Sequence, residues 1–373
     1  MRIVYICADP GVPVFGSKGA SVHIQEVVRA LRRAGHEVSV YAVRRGNLVP
    51  EDLADLPVNI VRVEATDAAS RERAQAEAAA ALAELAKEAG ADLVYERYSL
   101  FSTALATLAD AGIPGVLEVN SPLIDEQRHH RKLVDEAGAL AALRAQVTAA
   151  STTVCVSEPV RRWVCGHVAA PRAVTIPNGV NLRRLVPFPE DPDGVIVTFV
   201  GTLKPWHGVA DLLQAASLAR EDWSLRIIGD GPERQSLLTK AQQLGLKVDF
   251  RGALAPQDVP AALAGSAIGV APYPDLGGED EQYFSPLKVL EYLAAGLPVV
   301  ASAVGQLPRL LDGVGVLVPP SDPAALAAAL DALAIAPQLR ARRGDLGRRR
   351  AEKHHSWEAV VAQILNQAEV QHV

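Results

Sequence analysis

Apolar residues in this chain fall into short runs, each followed by a glycine-containing loop and then by a segment whose apolar positions recur every three to four residues. In the first half such runs at 3–8, 37–43, 58–63, 93–95, 116–119 and 152–156 predict strands buried on both faces. Val22, Val27 and Leu31 mark the apolar face of the first helix, which the pattern ends at Ala34-Gly35. An alanine-rich helix is predicted over 70–89. A proline-rich stretch at 187–192 interrupts the pattern, which then restarts with strand-like runs at 195–200, 225–228, 248–250, 268–270, 299–300 and 315–318. A helix is predicted over 209–219 and another over 356–371, with Trp357 near its start. Alternation of strand and helix signals predicts parallel, helix-covered sheets. The expected fold is therefore α/β, with two doubly wound domains facing a central cleft. The expected boundaries are 1–182, 183–355, and a closing helix at 356–373 that crosses back to the first domain. Ligands are expected outside the carboxyl ends of the strands.

Charge and cysteine usage narrow the partners. The formal net charge is −6, so nothing global attracts nucleic acid or an acidic membrane. Cys7 and Cys155 lie in apolar runs and are expected to be buried thiols; with Cys165 they make an odd set without metal spacing, and a reducing cytoplasm is the simplest reading. No signal-peptide pattern opens the chain, and no apolar run approaches membrane-spanning length. Contact with a membrane surface stays open through the basic run 128–132, although a solvated face is the plainer reading there and at Arg348-Arg349-Arg350. There is no Gly-x-Ser-x-Gly elbow, no His-Glu-x-x-His and no Walker loop. No Asp-x-Asp pair follows a strand, so an essential Mg2+ is not expected.

The chemistry concentrates in loops after strands and in one helix. Lys288 and Glu291 lie three residues apart on a short apolar helix that ends at Gly296 before Pro298. An ionised carboxylate is costly to bury alone, and a ribose offers it two adjacent hydroxyls. The alternative is an intrahelical Lys–Glu pair at the surface. Gly201 to Gly208 follows a strand, and its glycines permit close backbone approach at a helix N-terminus that favours an anion, with Lys204 and His207 adding positive charge; a plain tight turn is the alternative. Gly229-Asp230-Gly231-Pro232 is a second strand-to-helix turn, fit to lie along a base or to serve only as a turn. Asn178-Gly179 reads as a turn where the chain passes between halves. In the first half the loop Gly16-Ser17-Lys18-Gly19 and then His23 occupy the first strand-to-helix passage. Glu96, Arg97 and Asn120 sit at later strand ends, where each serves either a ligand or its neighbours.

In this order the pieces resemble the retaining glycosyltransferases of family 4, which have the GT-B architecture of two Rossmann-like domains. The resemblance runs over essentially the whole chain: Gly19 and His23, Gly35-His36-Glu37-Val38, Ile176-Pro177-Asn178-Gly179-Val180, Gly201 to Gly208, Gly229 to Pro232, and Leu290-Glu291 on to Ser302. It implies an N-terminal acceptor domain, a C-terminal nucleotide-sugar domain, and transfer of sugar from a nucleotide-diphosphate donor, UDP-sugar favoured, without a required cofactor. The acceptor would be a glycan, a lipid-linked sugar or a small metabolite. Glu291 matches the family's ribose-binding Glu, and Gly19 the glycine whose backbone meets the diphosphate.

The chain also departs from the family pattern. Tyr283 stands where a second Glu is usual, with Glu279, Asp280 and Glu281 nearby but out of register. Ser285-Pro286-Leu287 replaces a glycine-rich stretch, and Pro286 has no N–H to offer. The usual Arg and Lys of the phosphate loop fall on Thr202 and His207, so Lys204 and Lys288 are expected to carry the charge. The family's catalytic-region His falls near Asn120. The resemblance thus implies catalytic roles for Lys204, Lys288, Asn120 and His23. It implies donor contacts from Glu291, Gly19, Gly201, Thr202, His207, Gly229, Tyr283, Ser285 and Leu287. Acceptor contacts fall to Lys18, Glu96 and Arg97. Competing readings are a sugar-nucleotide epimerase or phosphorylase of the same architecture, and a non-catalytic sugar-binding protein. A dinucleotide dehydrogenase would want Gly-x-Gly-x-x-Gly, which Gly11, Gly16 and Gly19 do not form.

Overall fold

The computed structural model describes residues 1–170, 172–278 and 281–368. The chain divides into two compact units: Met1–Asn178 with the segment from Trp357 onward, and Gly179–Ser356.

The first unit is built on a seven-stranded sheet. Its strands are β1 (Arg2–Cys7), β2 (Glu37–Ala42), β3 (Val58–Ile60), β4 (Leu93–Arg97), β5 (Gly115–Val119), β6 (Thr152–Cys155) and β7 (Ala173–Thr175), in the order β3-β2-β1-β4-β5-β6-β7. Every neighbouring pair is parallel. Helices cover both faces, which is why β1, β4 and β5 are buried almost throughout. On one face Ile24, Val27, Val28 and Leu31 of the Gly19–Arg33 helix pack with Trp357, Val360, Val361 and Ile364 of the Trp357–Gln367 helix. The closing helix therefore belongs to this unit, and Arg33 reaches Glu358 at 2.8 Å. Its predicted end at Gln371 lies outside the described residues.

The second unit carries six parallel strands: β8 (Ile196–Val200), β9 (Ser224–Ile228), β10 (Val248–Gly252), β11 (Ile268–Ala271), β12 (Val299–Ser302) and β13 (Val316–Val318), in the order β10-β9-β8-β11-β12-β13. In each sheet the strand order reverses once, between β1 and β4 and between β8 and β11. Such reversals open a crevice at the carboxyl ends of the strands, where doubly wound folds bind ligands.

Both helices that matter most end as the sequence predicts. Gly35 takes φ +86° while His36 N–H returns to the Leu31 carbonyl, and Gly296 takes φ +71° while Leu297 N–H returns to Tyr292. Each closes a Schellman motif, which needs the left-handed conformation that glycine adopts without penalty. Cys7 and Cys155 are buried and Cys165 is exposed; burial pushes the Cys7 and Cys155 thiols up to about 12. Among the described residues no single helix is long and apolar enough to cross a membrane. The basic run on the Leu123–His130 helix is engaged locally, with Arg128 paired to Asp125 and Glu136.

Candidate active site

The helix Leu287–Ala294 is bolted beneath the β8/β11 reversal by a residue that sequence reading passed over. Tyr292 is fully buried; its hydroxyl accepts the Val200 N–H at 2.8 Å and donates to the Val270 carbonyl at 3.3 Å. It thereby bridges the ends of two strands whose own pairing stops lower down, at Gly269 and Thr198. Its ring occupies the space that a Cβ on Gly269 would need, 2.5 Å away.

This placement carries Lys288 into the crevice. Lys288 is 7% exposed, with Nζ 4.2 Å from the Phe199 ring centre and 4.8 Å from that of Tyr273. No hydrogen-bond acceptor meets the ammonium. Burial lowers its pKa from 10.5 to about 7, with Glu291 opposing the shift. Aromatic faces recover part of a buried cation's lost hydration, but three N–H donors stay open. The space beside Nζ is kept by Gly201, where a Cβ would come within 2.9 Å of it.

Glu291 does not pair with Lys288. It accepts from Arg184 Nη2 at 3.1 Å, and Arg184 also donates to the Pro256 carbonyl at 2.8 Å. Arg184 comes from the turn that Asn181 holds by accepting the Arg183 and Arg184 N–H groups. The Glu291 side chain is 23% exposed, and Oε2 has no partner among the described residues. Burial raises its pKa while Arg184 and Lys288 pull it back. The surface-pair alternative is thus replaced by a half-covered carboxylate with one open oxygen.

The glycine loops are interlocked. Gly201 N–H donates to Ile228, Leu203 N–H to Asp230, Glu233 N–H to Leu203 and Gly229 N–H to Gly252. A Cβ on Gly229 would lie 1.9 Å from the Gly201 carbonyl oxygen, at φ +146°. A Cβ on Gly208 would lie 1.7 Å from the Pro272 carbonyl oxygen. Gly229→Ala is therefore expected to lower the melting midpoint by several degrees, because strain of roughly 2–3 kcal/mol has no relief other than moving backbone. A wild-type melting curve would show that the two loops separate at little cost.

His207 does not supply the positive charge expected of it. Its Nδ1–H donates to the Thr202 carbonyl, which leaves Nε2 an acceptor. Burial, then Lys288, lowers its pKa to about 4, with Lys204 adding to the shift. The charge near this loop comes from Lys288 and Lys204, whose Nζ sits 4.5 Å over the Trp206 ring. Thr202 is exposed, so its backbone rather than its side chain organises the loop. Tyr283 is half-buried, and the Ser285 hydroxyl is buried without a partner. Leu287 is the first residue of the Lys288 helix. Glu279 and Asp280 lie outside the described residues.

The first unit has its own polar cluster at the β1/β4 reversal. His23, 4% exposed, has Nδ1 3.3 Å from Arg97 Nη1 and Nε2 3.0 Å from Glu118 Oε1. Because the guanidinium can only donate, the ring proton belongs on Nε2, facing Glu118. Trp357 packs edge-on against the imidazole at 5.0 Å. Burial pushes the Glu118 carboxyl up, but His23, Arg97 and Asn120 together hold it below the usual range. Around them Tyr5 OH, Tyr95 OH, His23 Nε2, Glu118 Oε2 and Asn120 Nδ2 are buried without a hydrogen bond of good geometry. Glu118 was not singled out from sequence; its only signal is an acid inside an apolar strand.

Glu96 does not join this cluster. It is fully buried, accepting from the Ser102 hydroxyl and from Leu105 N–H at 2.8 Å. Burial pushes its pKa up to about 7 against those two hydrogen bonds. Adjacent strand residues point to opposite faces, so Glu96 anchors the 99–105 loop while Arg97 meets His23, and the expected acceptor contact by its side chain does not hold. Lys18 and Gly19 are exposed at the start of the first helix. Among the described residues no group of three or more His, Cys, Asp and Glu could hold a metal ion.

Two doubly wound parallel sheets, each with a polar cluster at its strand reversal, define a fold of the GT-B class. The profile of glycosyltransferase family 4 matches residues 17–184, and that described as glycosyl transferases group 1 matches residues 194–335. The chain belongs to glycosyltransferase family 4. It is 36% identical over 222 residues to a phosphatidyl-myo-inositol mannosyltransferase of Mycobacterium leprae, covering 57% of each chain. It is 29% identical over 222 residues to a GDP-mannose-dependent monoacylated alpha-(1-6)-phosphatidylinositol monomannoside mannosyltransferase of Corynebacterium glutamicum, covering 55% of this chain and 58% of that one. The match thus spans a little over half the length of these curated relatives. The Anabaena protein HepE, solved in complex with UDP, superposes with a TM-score of 0.71 at 19% identity, covering all of both chains.

Proposed function

We propose that this protein is a glycosyltransferase that moves a sugar from a nucleoside-diphosphate donor, held by the second unit, to a hydroxyl of an acceptor held by the first. The observation that carries this reading is the buried Lys288 ammonium without a counter-ion, set beside Gly201 at the β8/β11 reversal. A buried cation is retained at a cost unless something anionic meets it, and a diphosphate brings that charge. In this reading Lys288 and Lys204 stabilise the charge that develops on the leaving diphosphate, and Glu291 accepts from the ribose hydroxyls through its open oxygen. Neutral His207 braces the loop. Transfer proceeds with retention at the anomeric carbon and without a required metal, so turnover is expected to be undiminished in EDTA.

Two donor series are supported, by different observations. The fold neighbour bound to UDP supports a UDP-sugar, and the Corynebacterium relative supports GDP-mannose. Thermal shift with UDP, GDP, ADP and dTDP and their common sugar conjugates, in EDTA, tests the reading. A ligand well above its dissociation constant stabilises the fold by mass action. A shift with one nucleotide series is expected; no shift with any would remove the donor site.

A further inference from the structure

We infer that Arg44, Arg45 and Arg62 form a phosphate-binding pocket in the first unit and take the phosphate group of the acceptor. This rests on the reading of the first unit as the acceptor side. The three residues follow β2 and β3 and line a cavity of about 770 Å3 with Pro10, Val43 and Ile60. All three side chains are exposed, and among the described residues none has a carboxylate within ion-pair distance. That sets them apart from the nearby Arg29, Arg32 and Arg33, which reach Asp52, Asp55 and Glu358 at 2.6, 2.5 and 2.8 Å. Acidic residues outnumber basic ones in the chain, so three arginines lining one cavity without a carboxylate partner is not a matter of supply. Glu64 also lines the cavity, leaving the pocket with an excess of two positive charges.

The pocket is held in place by backbone. Val14 N–H donates to the Arg44 carbonyl at 3.0 Å, Phe15 N–H to that of Arg45 at 2.7 Å, and Leu48 N–H to that of Phe15. Gly46 permits this approach, since a Cβ there would lie 2.1 Å from the Phe15 oxygen. The Arg45 guanidinium stacks 4.9 Å from the Phe15 ring centre, and Arg44 Nη1 reaches the Pro10 carbonyl at 3.4 Å. Arg44 and Arg45 therefore rest against the strand-to-helix loop that runs on to Gly19 and His23. Planar guanidiniums bind phosphate oxygens two at a time, and the apolar walls at Val43 and Ile60 suit the carbon skeleton of the ester.

A soluble phosphate ester and a phospholipid headgroup share this chemistry. Isothermal titration of the full chain with myo-inositol 3-phosphate, with unphosphorylated myo-inositol as the reference, reads the first. Flotation with phosphatidylcholine vesicles, with and without phosphatidylinositol, reads the second. Wild type is expected to bind the phosphorylated probe in one arm or both. Each single Arg→Gln change is expected to weaken binding about tenfold, and the triple change R44Q/R45Q/R62Q to abolish it while the melting midpoint holds. Equal binding by wild type and triple variant in both arms overturns the pocket, as does failure of the wild type in both. Nucleotide binding by the wild type is measured alongside. If it persists while phosphate binding is absent or arginine-independent, the pocket fails and the transferase reading stands. Arginine-dependent phosphate binding without nucleotide binding does the reverse.

Discussion

Lys288→Met is expected to make the protein more stable and nearly inactive. Burial moves the Lys288 pKa from 10.5 to about 7. That shift corresponds to a penalty of about 5 kcal/mol on the charged form, less whatever the two aromatic faces return. The sign follows from linkage: between about pH 7 and 10.5 the unfolded chain holds a proton here that the folded chain has shed. The cost is therefore fully present below about pH 7 and fades toward 10.5. Methionine keeps the apolar stem and nearly the volume while removing the charge. The melting midpoint near neutral pH should rise by roughly 5 °C or more. Donor kcat/KM should fall about a hundredfold or more if, as proposed, Lys288 neutralises the leaving diphosphate. A midpoint that drops, or full activity in the variant, would show that Lys288 is a packing residue in an aromatic cage.

Glu291→Ala is expected to raise donor KM by about ten- to a hundredfold, the range for losing charged hydrogen bonds to ribose hydroxyls. Arg184 sharpens the test. With Glu291 removed, its guanidinium keeps only the Pro256 carbonyl and is left as a half-buried cation, so the midpoint should fall modestly too. Glu291→Gln retains a carbonyl acceptor for Arg184 and should recover stability more than KM. An unchanged KM in the alanine variant would take Glu291 out of the donor site.

The elements legible in the sequence are those whose local signals agree with their surroundings. β1 and β8 read as largely apolar runs because helices cover both faces of each sheet. The Leu287–Ala294 helix was placed by its apolar face and Gly296, which depend on neighbouring residues alone. β7 was missed because it is three residues long and half-exposed, so no apolar run marks it. The site was legible where chemistry sits in one stretch, as with Lys288 and Glu291. It was not legible where partners arrive from far along the chain. Arg184 meets Glu291 across 107 positions, and Tyr292 meets Val200 across 92. His207 was read as a cation because a sequence shows residue type but not burial, and burial is what keeps its imidazole neutral. Glu96 and Arg97 looked like one pair of charges, and the strand's alternation sends them to opposite faces.

Nucleotide affinity as a function of pH, measured by isothermal titration in EDTA, tests the central claim most directly, since the claim is that a buried lysine cation receives the donor diphosphate. The protonated form binds the diphosphate, and the bound anion holds that proton more tightly. Affinity should therefore stay level below about pH 7 and fall progressively above it, with proton uptake on binding, while Lys288→Met binds weakly at every pH. An affinity level from about pH 6 to about pH 9, or one that Lys288→Met leaves unchanged, would contradict the account.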